Sequence, residues 1–80
     1  MTLERLLLNK PFRRVQYPCG HGILLIEQGH PFIERDLKQG RCSVVEKGNV
    51  NDQLIDRISN DGWIFKTADM LIRRDPVKPR

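Results

Sequence analysis

Residues 12–27 read "FRRVQYPCGHGILLIE", and this stretch decides the fold. In "FRRVQY" one parity carries Phe12, Arg14 and Gln16 and the other Arg13, Val15 and Tyr17, an alternation suited to a half-buried strand. "PCGHG" is dense in turn formers: Pro18 biases Tyr17 toward an extended conformation, while Gly20 and Gly22 permit positive φ. "ILLI" (23–26) is apolar without a break and has β-branched ends, which predicts a strand covered on both faces. Strand, Pro/Gly turn and strand together make a hairpin with a loop longer than the minimum.

Upstream, "TLERLLLN" suits a short helix with Thr2 as N-cap and Leu3, Leu6 and Leu7 on one face, and Pro11 ends it. Downstream, "EQGHP" breaks the chain again. Residues 31–39 then admit two readings. Phe32, Ile33 and Leu37 stand at helical spacing with Gly40 as C-cap, but the segment also reads as an edge strand. "RCSVVE" is a short strand with a β-branched centre, ended by "KGN". The clearest helix lies near "NVNDQLIDRISNDG", capped by Asn49 or Asn51. Asp52 sits in its first turn, Val50, Leu54, Ile55 and Ile58 form one stripe, and Gly62 is the terminator. "WIFKT", "AD" and "MLIRR" form a closing hairpin, in which Trp63 and Phe65 share a face beneath the helix or serve as a docking patch.

The order is α-β-β-(α or β)-β-α-β-β. It defines a small α+β domain over residues 1–75, with an antiparallel sheet of four or five strands and one main amphipathic helix on a face. Residues 76–80, "PVKPR", read as a flexible basic tail. Eighty residues make one domain, and 39% hydrophobic with 30% charged residues is the balance of a globular chain. The longest apolar runs fall far short of the roughly 18–20 residues that span a bilayer. "MTLERLLLNK" has neither a long apolar stretch nor a cleavage motif, so the expected location is cytoplasmic, with no membrane partner.

Cys19, His21, His30 and Cys42 supply four zinc-ligand types. Only Cys19 and His21 are local to each other, however, and one intervening residue is a poor zinc knuckle. The expectation is no cofactor, with zinc as the weaker reading. A Cys/His nucleophile lacks an orienting group in the motif, and a short chain leaves little room for a cleft. The chain is therefore not expected to be an enzyme.

"LIDRISNDGWIFKTADMLIRRDP" (54–76) resembles the helix, "NGW" turn and strand of small HicA-type messenger-RNA-cleaving toxins. "GHPF" (29–32) resembles their "GSHxxF" segment, whose histidine is catalytic. The order differs, since that histidine follows the "GW" hairpin in the family and His30 precedes Trp63 here. The resemblance covers about a quarter of the chain and implies, as a lesser alternative, a ribonuclease acting through His30.

The net charge of +4 favours anionic partners. Arg13, Arg14, Arg41, Arg73, Arg74 and Lys78 are the candidate partner-binding residues, and Arg14 and Arg74 would share a basic face if the first and last strands lay close. The long helix carries Asp52, Asp56 and Asp61 outward with only Arg57, which repels phosphates and argues against a recognition helix. No aromatic stacking pattern of the RNA-binding kind accompanies the arginines. The reading is a small regulatory or accessory protein that docks on a larger protein or nucleoprotein complex through an edge strand and arginines. Direct DNA or RNA binding through a basic sheet face and the tail is the alternative.

Overall fold

A computed structural model of the chain describes residues 4–27 and 29–74. Five strands form one antiparallel sheet: β1 (Pro11–Gln16), β2 (His21–Ile26), β3 (Ser43–Asn49), β4 (Ile64–Thr67) and β5 (Met70–Arg74). Their spatial order is β3-β1-β2-β5-β4, so the β1–β2 hairpin lies at the centre and β3 and β4 are the edges. Two helices, α1 (Pro31–Lys38) and α2 (Asp52–Asn60), complete the α+β fold after a single 3₁₀ turn at Glu4–Leu7. No helix among the described residues is long and apolar enough to cross a membrane.

The hairpin pairs Phe12 with Ile26 through to Gln16 with Gly22. Its turn closes by hydrogen bonds from Tyr17 N–H to the His21 carbonyl (2.8 Å) and from Gly20 N–H to the Tyr17 carbonyl (3.0 Å). Gly20 stands at φ +99°, a conformation that excludes most side chains, and this permits the reversal.

The unbroken apolar run of β2 is covered on both faces. Leu24 and Ile26 join Phe12, Leu71, Trp63 and the α2 residues Leu54 and Ile58 in one core. Leu25 joins Val15, Ile33 of α1 and Cys42 in a second, with Ile23, Leu37, Met70 and Tyr17 packed against it. Within residues 31–39 the helical reading holds, over Pro31–Lys38, and the sheet carries a helix on each face. Pro31 occupies the first turn, where its missing N–H costs nothing. His30 caps the helix by accepting the Phe32 N–H at Nδ1, and Gly40 at φ +73° ends it.

Two local expectations are corrected. The N-terminal segment forms a 3₁₀ turn over Glu4–Leu7 rather than an α-helical one, and its expected cap, Thr2, lies outside the described residues, as does the tail at 76–80. "KGN" does not end the third strand. β3 runs through it because Gly48 is a pairing position opposite Phe12. A Cβ on Gly48 would lie 3.5 Å from the Phe12 ring, an ordinary contact, so this glycine serves as a strand position and not as a turn. The α2 signals form as read: the Asn51 side chain accepts the Leu54 N–H at 2.9 Å, and Gly62 follows the helix at φ +78°.

Candidate functional site

The candidate arginines are spread over the fold, and carboxylates meet most of them. Arg13 donates from β1 to Glu34 of α1. Arg41 lies 3.8 Å from Asp36, and Arg73 3.2 Å from Asp61. Arg14 reaches Glu46 at 4.0 Å, while Arg57 of α2 takes the same carboxylate with two hydrogen bonds of 2.9 and 2.8 Å. Those bonds hold the Glu46 carboxyl below its ordinary range against the opposing effect of burial. Among the described side chains Arg35, Lys38, Lys47 and Lys66 stand outside the ion pairs.

Arg14 and Arg74 do not meet across neighbouring strands, because β2 separates β1 from β5. Arg73 is the residue that comes near Arg14. Their guanidiniums lie 4.9 Å (Arg73) and 5.9 Å (Arg14) from the centroid of the Trp63 ring. Trp63 is 8% exposed, which makes it a core residue held by two cations rather than an open docking patch. Arg74 pairs by its backbone with His21 at the end of β5; its side chain and Lys78 lie outside the described part.

The four candidate metal ligands divide. Cys19 and His21 come together, with Sγ 3.3 Å from Nδ1 on an exposed turn. Cys42 is buried in the second core, and His30 uses its Nδ1 as the α1 cap. No group of three or more potential ligands forms among the described residues. The His30 ring also stacks on the Phe32 ring at 5.4 Å, and the Arg35 guanidinium lies 5.2 Å from the Phe32 ring.

The feature that the sequence named without locating is the edge strand. β3 pairs on one side only, with β1. Arg14 pairs with Glu46 and Val15 with Val44, so Val45 is an extra, bulged residue. Val44 and Val45 are 41% and 51% exposed. They line an open groove of about 580 Å³ together with Arg13, Glu46 and Lys47. With Arg13 and Glu46 already paired, Lys47 carries the unmatched charge of the groove. The arrangement offers unpaired backbone groups, two adjacent aliphatic side chains and one cation. The consecutive valines of "SVVE" were its visible signal, since a strand with one solvated face rarely shows two large aliphatics in succession.

Comparison with protein-family models, with curated proteins and with solved structures finds no match to this chain. The described part of the segment that resembles HicA-type toxins, residues 54–74, lies in α2, β4 and β5, whereas His30 precedes it at the cap of α1.

Proposed function

We propose that this chain is a non-catalytic accessory protein that binds an extended segment of a larger protein by adding it as a sixth strand alongside β3. The observation that carries this reading is the seven-residue edge strand whose exposed Val44 and Val45 border a groove with an unmatched Lys47. Strand addition gives affinity through the main chain and specificity through side-chain contacts at alternate positions. The complementary segment carries an aliphatic residue for the valines and a carboxylate for Lys47. The Val45 bulge and Lys47 also act against indiscriminate pairing, because both are common guards of exposed edges. Direct nucleic-acid binding draws less support, since most of the arginines named for it face carboxylates of this same chain.

Selection from a displayed library of random decapeptides tests the reading. Enriched peptides combine β-branched or leucine residues with an acidic residue. The double substitution Val44→Asp and Val45→Asp, at two exposed positions, weakens their binding by at least about tenfold. Failure to enrich any peptide, or equal binding by the double variant, contradicts it. Anisotropy of labelled duplex DNA and single-stranded RNA across a salt series addresses the alternative. Binding whose log affinity falls linearly with log salt would support the nucleic-acid reading in its place.

A further inference from the structure

We propose that Cys19 and His21 are half of a zinc site that a second copy of this chain completes. The turn at 18–20 and the first residue of β2 bring Sγ and Nδ1 to 3.3 Å, and the left-handed Gly20 at φ +99° produces that convergence. Zinc–sulfur and zinc–nitrogen bonds of about 2.3 and 2.05 Å at a tetrahedral angle place two such ligands about 3.5 Å apart. The pair is thus within a few tenths of an ångström of the separation that one ion demands.

Among the described residues nothing nearby fills the other two positions. Cys42 is 8% exposed inside the second core, His30 is committed to the Phe32 N–H, and no third ligand joins the pair among the described residues. The site is nevertheless approachable from outside. Both Cys19 and His21 are exposed, and the pairing of β3 with β1 begins only at Gln16, so the turn reaches past the start of that strand. Two such turns related by a two-fold axis supply two sulfurs and two imidazoles, the ligand set of a closed structural zinc site. On binding, each Cys19 thiol releases its proton to solvent, and the two thiolates balance the charge of the ion. Each imidazole binds as the neutral ring through Nδ1, with its proton on Nε2.

The test titrates chelator-treated full chain with cobalt(II), then with zinc(II), while molecular mass is followed by sedimentation. A thiolate-to-cobalt charge-transfer band should saturate at one ion per two chains, zinc should displace it, and the mass should double with metal. Cys19→Ser and His21→Ala should each abolish the band and the mass change, while His30→Ala should keep both. Circular dichroism establishes that the variants are folded, as expected for two exposed turn positions. Absence of the band, retention of it in Cys19→Ser, or saturation at one ion per chain with unchanged mass would overturn the proposal.

Discussion

The guanidinium of Arg57 donates two hydrogen bonds to the carboxylate of Glu46, at 2.9 and 2.8 Å, and so ties α2 to the edge strand β3. The pair is about two-thirds shielded from solvent, and its fork geometry is the favourable one for arginine and carboxylate. It fixes the backbone of the strand on which the docking reading depends.

Glu46→Gln should therefore cost about 1 kcal/mol in urea unfolding at neutral pH. The folded carboxyl titrates below its ordinary value, chiefly because of the Arg57 hydrogen bonds. Its contribution is then present above the unfolded value near 4.3 and is lost as pH falls through the folded one. Only below that lowered folded value should the variant and the parent converge in stability. A constant gap down to pH 2 would show that Glu46 acts by packing rather than by charge.

Tyr17 predicts the opposite dependence. Its hydroxyl donates to Asp36 at 2.5 Å, joining the end of β1 to α1. Burial, then the hydrogen bond to Asp36, then Cys42, push its ionisation above the ordinary tyrosine value. A raised folded value means that the stabilisation is full below the unfolded value, about 10, and falls away as pH rises beyond it. Tyr17→Phe should cost about 1.5 kcal/mol at neutral pH, and its stability should depend less on pH above 10. Equal alkaline loss in parent and variant would assign that loss to another group.

Gly22→Ala probes how tightly the first core is closed. A Cβ there would stand 3.2 Å from Cη2 of Trp63. Trp63 has little room to give, since it is 8% exposed with Arg14 and Arg73 both near its ring. The expected cost is about 1–3 kcal/mol, with a shifted emission maximum from the single tryptophan of the chain. Unchanged stability would mean that the ring moves freely.

Much of this fold was legible because its signals are local. The run "ILLI" required cover on both faces, and α1 and α2 provide it. Asn51 and Gly62 bound α2 through contacts within a few residues. The ambiguity at 31–39 arose because an eight-residue helix that buries only Ile33 is too short for its helical spacing to exclude a strand. Gly48 misled for a related reason: it pairs with Phe12, 36 positions earlier, and no local rule reports that.

The candidate site was less legible. Edge status belongs to the order of the strands, not to the composition of β3. Arg13 looked available because its partner is remote in the chain, Glu34 being 21 residues away. By contrast the convergence of Cys19 and His21 lay within one turn, where two glycines already marked a tight reversal.

Amide hydrogen exchange of β3, with and without a selected peptide, tests the central claim most directly. Strand addition predicts that the amides of Ser43–Asn49 that exchange fastest in the free protein slow by about tenfold or more, while those of the other edge, β4, keep their rates. Protection confined to β4 or to the helices, or none in β3 under saturating peptide, would contradict the account.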